Sequence, residues 1–174
     1  CGGGNLSFSA LRRLVISQEI REQVRSSLLT LGSDYLGVHI RNTDYQTEYI
    51  HLFEQIYPQV IDRRLLVCSD NADVISTAKH FFDRSQVLTI TRPPTGSKPL
   101  HHATRYKDDK ERNIATTNSL IDLLALGGAT KLFYANVLSG HPSGFSTLAM
   151  YIFNNKSLIN DLLGFSANNQ LSNA

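Results

Sequence analysis

Apolar residues recur along the chain at two alternating spacings, one helical and one strand-like. Phe8, Leu11, Leu14, Val15, Ile20, Val24, Leu28 and Leu31 fall near helical spacing. They predict one long helix, with Ser7 or Ser9 as its cap and Gly32 as its stop. Tyr35 to Ile40 is a short apolar run and reads as a first strand. Residues 46–57 read as a helix halted near Pro58, and Leu65 to Cys68 as a second buried strand. Ser69, Asp70 or Asn71 then caps a helix that passes through Val74, Ile75 and Ala78 to about Phe82. Val87 to Ile90 gives a third strand.

The pattern breaks over residues 91–113. This stretch holds Pro93, Pro94, Gly96, Pro99, the adjacent His101 and His102, and a charge cluster from Lys107 to Arg112. It reads as one long loop, and loops of this length in compact domains are often functional. Helical spacing resumes from about Ala115 to Leu126, closed by Gly127 and Gly128. Lys131 to Ala135 is a fourth strand, followed by a helix from about Ser143 to Phe153 and a short one near Leu158 to Leu163. The last ten residues, rich in Asn and Ser, read as a frayed tail.

Short apolar strands separated by helices of ~10–15 residues are βαβ units, which assemble a mostly parallel sheet. The strands are near-continuous apolar runs, as expected for a sheet covered on both faces. The expected fold is therefore α/β: a Rossmann-like, mostly parallel sheet with helices on both faces. One domain over residues 1–164 with a flexible tail over 165–174 accommodates all of these elements. Ligands of such sheets bind at the carboxyl ends of the strands, which directs attention to the residues there.

Composition narrows the function classes. Among 174 residues, 17 Lys and Arg against 15 Asp and Glu leave a net charge of +2, too little for general nucleic-acid binding. An apolar share of 41% excludes disorder as the main state. No stretch approaches the ~18–20 apolar residues of a membrane helix. With no signal peptide recognisable either, a cytoplasmic location is expected. Cys1 and Cys68 alone make neither a disulfide framework nor a zinc site, and Cys68, in an apolar run, is expected to be buried. The opening Cys1-Gly2-Gly3-Gly4 admits three readings: a fragment of a longer protein, an artificial boundary, or a lipidated mature terminus.

At the carboxyl end of the first strand stands His39-Ile40-Arg41-Asn42-Thr43-Asp44. A guanidinium there can grip a phosphate through two N–H groups, or it can simply pair with Asp44. The second strand ends in Ser69-Asp70-Asn71, whose side chains suit helix capping better than ligand binding. The fourth strand leads to Ser139-Gly140-His141-Pro142-Ser143-Gly144-Phe145-Ser146, a small-residue helix start whose N–H groups favour an anion, or an ordinary cap at Ser143. Asp122 lies among Leu120, Ile121, Leu123, Leu124 and Leu126. It either faces solvent or points into a cleft, where a carboxylate matches the N1–H and 2-amino donors of guanine. His51 and His80 read as surface residues, and His101 and His102 lack a third ligand at metal spacing. No dinucleotide fingerprint, P-loop or nucleophile elbow is present.

Taken together, three segments carry a resemblance. Val38 to Asp44 resembles the HxRRTD-type motif of the GDP-fucose fucosyltransferases, most closely the α1,6-fucosyltransferase and Nod-factor fucosyltransferase group. Leu65 to Asn71 with the following Ala78-Lys79 looks like their second motif. Asn118 to Leu126 followed by Ser143 to Ser146 looks like the third, and order and spacing agree over roughly residues 35–153. The resemblance implies the C-terminal, donor-binding half of a GT-B glycosyltransferase, inverting and metal-independent, with no cofactor beyond its GDP-fucose donor. Its partners would be that nucleotide sugar, a glycan acceptor and an N-terminal acceptor domain outside this chain. By position, His39 and Asp122 would read guanine, and Arg41 would hold the β-phosphate. Ser143, Gly144, Phe145 and Ser146 would cradle the diphosphate, with Asp70 near the ribose or base. Glu48 would be the base or acceptor orienter, so Arg41 and Glu48 are the catalytic candidates. Asn42 departs from the motif, standing where the family usually has a second Arg. The competing expectations are a glycosyltransferase with another donor, a GDP-binding module without transferase activity, and a lipid-anchored interaction domain.

Overall fold

A computed structural model of the chain describes residues 5–92, 106–136 and 140–164. Its centre is a four-stranded sheet of β1 (Leu36–Ile40), β2 (Arg64–Ser69), β3 (Gln86–Leu88) and β4 (Lys131–Tyr134). The strands lie in the order β3-β2-β1-β4, and every pairing is parallel. β1 is central and all five of its residues are buried, which explains its unbroken apolar run. The α/β expectation, with helices on both faces of a parallel sheet, is what the chain folds into.

Two apolar cores flank the sheet, because successive side chains of a strand point to opposite faces. Leu36, Val38, Ile40, Leu65 and Val67 pack against α3 (Tyr49–Val60) and α4 (Ala72–Phe81). Leu66 and Cys68 face the other way, toward α2 (Gln18–Leu31), α5 (Asp109–Gly128), α6 (Gly144–Phe153) and α7 (Ser157–Leu163). Cys68 is a free, buried thiol, as expected from its apolar run. α5 and α6 approach closely at Gly127, where a Cβ would come within 2.3 Å of Ile152 Cγ2. On the sheet side, Tyr35 donates its hydroxyl proton to the Ala125 carbonyl at 2.7 Å, fixing the end of α5 to the start of β1.

Three boundaries differ most from the sequence reading; smaller shifts end β3 at Leu88 rather than Ile90 and keep Gly127 and Gly128 within α5. The first predicted helix is two helices, α1 (Asn5–Arg12) and α2, the second capped by Ser17, whose hydroxyl accepts from Ile20 N. Leu14 and Val15 extend the helical spacing on paper, but both are exposed in the connection, so no burial drives a helix there. Gly32 does stop α2, at φ 70°. α3 does not halt before Pro58; it runs on to Val60, whose buried side chain joins Phe53 and Ile56 on one apolar stripe. Pro58 itself is on the exposed side, where the Glu54 carbonyl it leaves unbonded can meet water.

The third difference matters most. The charge cluster at 107–112 is not loop throughout: Asp109 to Arg112 form the first turn of α5, with Asp108 as its cap. Asp108 is the N-cap and accepts from Glu111 N at 2.8 Å, while Glu111 reaches back to accept from Lys107 N at 2.7 Å. This is close to a capping box, and it starts the helix six residues before the apolar spacing begins. Residues 93–105 of the expected long loop, with His101 and His102, lie outside the described residues, as do Ser139 and the expected tail.

Candidate functional site

The carboxyl ends of β1 and β2 carry two polar clusters on the same face of the sheet, beneath α5 and α6. His39 is the register partner of Cys68, so the two lie side by side on adjacent parallel strands. His39 reaches α6 and Cys68 reaches α5, and each therefore joins a strand end to a helix.

The first cluster is His39, Ser146 and Ser143, all buried. His39 Nδ1 is 2.7 Å from Ser146 Oγ. Ser146 Oγ is 3.0 Å from Ser143 Oγ, which also accepts from Ser146 N at 3.1 Å and so caps α6. The Phe145 ring covers the imidazole at a centroid distance of 4.6 Å. Burial, and then the positive charge of Arg41, push His39 down to about 3, so it is neutral at pH 7. The cap satisfies one first-turn donor of α6. The N–H groups of Gly144 and Phe145 have no acceptor within the helix and belong to its positive end.

The second cluster is Asp122, Thr91 and Cys68. The Asp122 carboxylate turns inward rather than to solvent, which decides the alternative left open by its apolar helix. Thr91 Oγ1 donates toward both its oxygens, at 2.9 and 2.8 Å, and the Cys68 thiol also bonds to it. Burial raises Asp122 to about 6, against the lowering effect of those two hydrogen bonds. Burial also pushes the Cys68 thiol well up, with the charge of Asp122 adding to it, so Cys68 is a thiol donor and not a thiolate. Sequence reasoning found Asp122 but missed Thr91 and the role of Cys68. Applying the strand-end rule to the third strand as well as the first two would have pointed to Thr91.

A third group forms the turn after β1. Arg41 makes a two-pronged ion pair with Asp44, Nε to Oδ1 at 2.7 Å and Nη2 to Oδ2 at 2.8 Å. Buried Asp70 lies behind it, with Oδ2 4.0 Å from Arg41 Nε. Asp70 accepts from Asn42 N at 2.8 Å and from Thr43 Oγ1 at 2.5 Å. It therefore ties the β1 exit to the end of β2. Capping α4 falls to Asn71, which accepts from Asp73 N and donates to the Asn42 carbonyl. Asn42 Oδ1 accepts from Thr47 N at 3.3 Å, so this side chain braces the turn. Glu48 is exposed at the start of α3 and makes no capping bond with its side chain.

Compared with protein-family models, curated proteins and solved structures, the chain matches none. The geometry of the site thus stands on its own.

Of the residues singled out from the sequence, His39, Ser143, Phe145 and Ser146 come together in one cluster, with Gly144 in the same turn. Arg41 and Asp70 come together in another. Asp122 joins through Cys68, the strand neighbour of His39. Glu48 is not drawn to any of these groups by a hydrogen bond of its own capping position. Among the described residues, no group of three or more His, Cys, Asp or Glu could hold a metal ion. No helix among them is long and apolar enough to cross a membrane.

Chemically, the arrangement offers a fixed guanidinium, a helix N-terminus, a neutral imidazole and an inward carboxylate along one edge of the sheet. A guanidinium and helix N–H groups suit a phosphate. A buried carboxylate with free lone pairs suits a ligand with paired N–H donors.

Proposed function

We propose that this domain binds a guanine nucleotide sugar, GDP-fucose, as the donor-binding part of a fucosyltransferase-like glycosyltransferase. The observation that carries the reading is the bond between His39 Nδ1 and Ser146 Oγ. It joins the first and third resembling segments, 107 residues apart, across one edge of the sheet. In this reading Arg41 and the Gly144 and Phe145 N–H groups take the diphosphate. Asp122 takes the guanine edge, with His39 beside it, and Asp70 keeps the turn that aims Arg41.

Cleavage of the fucose–phosphate bond leaves negative charge on the departing GDP. A preset guanidinium and helix N–H groups stabilise that charge more in the transition state than in the ground state. Proton removal from the acceptor hydroxyl falls to Glu48, which is exposed and free of a capping bond at the rim of the β1–α3 turn. Glycan acceptors are the substrates that such a reaction requires.

A second reading is a GDP-binding module without transferase activity. It is favoured by Asn42, whose amide oxygen is committed to Thr47 N and which brings no charge to the phosphates. The two readings share the nucleotide and differ in turnover. The test of the nucleotide is a melting experiment with GDP, UDP and ADP in the presence of a chelator. The reading expects a rise with GDP alone; equal rises with all three would remove guanine from it.

A further inference from the structure

The Asp122 carboxylate is held from two strands at once. Thr91, in the chain leaving β3, places Oγ1 2.9 Å from Oδ1 and 2.8 Å from Oδ2. The Cys68 thiol reaches it from β2, the neighbour of β3 in the sheet. Both groups donate: the hydroxyl has one proton to share, and Cys68 keeps its own because burial pushes the thiol well up. An ionised carboxylate offers about four lone-pair directions. Among the described residues, the O–H and the S–H take two of them, which leaves two for a ligand. A base edge with paired N–H donors fills that remainder.

This hold matters because burial favours the neutral acid. Asp122 is raised to about 6 even with both donors in place. A protonated carboxyl would set its own O–H against an N–H of the base and lose one of the two bonds. The donors act in the opposite sense, Thr91 ahead of Cys68, and the Thr91 hydroxyl is the one that spans both oxygens. Thr91 is itself half-buried, so its side chain can be exchanged without opening the core.

We propose that Thr91 is a positioning residue for base recognition, its hydroxyl holding the Asp122 carboxylate, together with the Cys68 thiol, as a double acceptor for the N1–H and 2-amino donors of guanine. This rests on the reading of Asp122 as the guanine contact. Thr91 acts through Asp122 and touches no ligand in this role. A threonine that merely packed the β3 exit against α5 would act through its methyl group, at every pH and on every nucleotide alike.

The experiment is calorimetric titration of the full chain with GDP, UDP and ADP at pH 8, 7 and 6 under chelator, beside a carboxyl-carbon NMR titration of Asp122 in the ligand-free protein. Thr91→Val keeps the shape of the side chain and removes the hydroxyl; Thr91→Ser keeps the hydroxyl and removes the methyl. Thr91→Val is expected to bind GDP several-fold weaker at pH 7, the deficit widening to about tenfold at pH 6 and narrowing at pH 8, because a lost donor lets the carboxyl keep its proton to higher pH. Thr91→Ser is expected to bind as the wild type, and the NMR midpoint of Asp122 to rise in Thr91→Val alone. The titration of the nucleotide itself cancels between proteins at each pH. Among the described residues, the neighbouring groups are silent over this range: Cys68 keeps its proton, and His39, beside Cys68, titrates at about 3. Wild-type GDP affinity in Thr91→Val overturns the proposal, as does an equal loss in Thr91→Ser, a deficit that does not change with pH, or a loss shared equally by UDP and ADP. The NMR arm separates this from the nucleotide reading. If the wild type binds no GDP, guanine recognition fails; a midpoint that rises in Thr91→Val alone then still upholds the grip of Thr91 on Asp122, and an unchanged midpoint removes it.

Discussion

The two polar clusters beneath α5 and α6 predict opposite pH dependences that partly offset each other in the wild type and separate on mutation. Asp122 is raised from 3.8 to about 6 by burial, so in the folded chain it holds its proton over a range where the unfolded chain has lost it. Its contribution is fully present below pH ~4 and is lost as pH rises through about 6, a span of about 3 kcal/mol. His39 is lowered from 6.5 to about 3, so the unfolded chain takes up a proton that the folded chain refuses. Its contribution is present above pH ~6.5 and is lost as pH falls toward 3. From pH 7 to pH 5 the His39 effect costs about 2 kcal/mol and the Asp122 effect returns about 1 kcal/mol, leaving a small net loss. Asp122→Asn removes the second effect, so its stability should fall about 1 kcal/mol further than wild type over that span. His39→Gln removes the first, so its stability should rise on acidification by about 1 kcal/mol. Urea unfolding at pH 7, 6 and 5 measures each slope, and every other titrating group cancels in the comparison with wild type. Parallel curves for Asp122→Asn and wild type would show that the carboxylate is solvated like an ordinary surface group, and the inward placement of Asp122 would be refuted.

Three further expectations follow from particular contacts. Arg41→Ala should cost about 2 kcal/mol of GDP binding by calorimetry, and Arg41→Lys should recover little because an ammonium cannot make the two-pronged contact. Wild-type affinity in Arg41→Ala would take Arg41 out of the site. Gly127→Ala should destabilise the fold by about 1–3 kcal/mol, because the added methyl meets Ile152 at 2.3 Å. Ile152→Ala in the same chain should make the two losses clearly less than additive, as read from denaturant midpoints. The chain on its own should bind labelled GDP-fucose yet transfer little of it to chitooligosaccharide or N-glycan acceptors, since positioning the acceptor accounts for ~7–11 kcal/mol of a barrier. Robust turnover on any acceptor would show that these residues suffice.

Much of the architecture was legible because the strands are unbroken apolar runs. Leu36 to Ile40 and Leu65 to Cys68 admit few placements other than the middle of a covered parallel sheet. Helix ends were legible where a cap residue abutted an apolar stripe, as at Asn71 and Ser143. They were misread where polar capping and apolar spacing disagree. The Asp108–Glu111 cap starts α5 in charged sequence, and Leu14 and Val15 continue an apolar spacing that no neighbour buries. Single residues at strand ends were also legible, because a polar side chain after a buried strand has few places to go. Their partners were not: Thr91 with Asp122 and His39 with Ser146 meet across 31 and 107 residues, and only the packing of α5 and α6 on the sheet brings them together. The fate of Arg41 was left open between phosphate contact and local ion pair, and the fork to Asp44 shows that the pair forms.

Guanine recognition at this sheet edge is tested most directly by calorimetric titration of the wild-type chain with GDP, UDP and ADP in chelator at one ionic strength. Saturable binding of GDP at least tenfold tighter than of UDP and ADP is the expected result, with the preference for GDP lost in Asp122→Ala. Equal binding of the three nucleotides, or no binding of GDP at millimolar concentration, would contradict it.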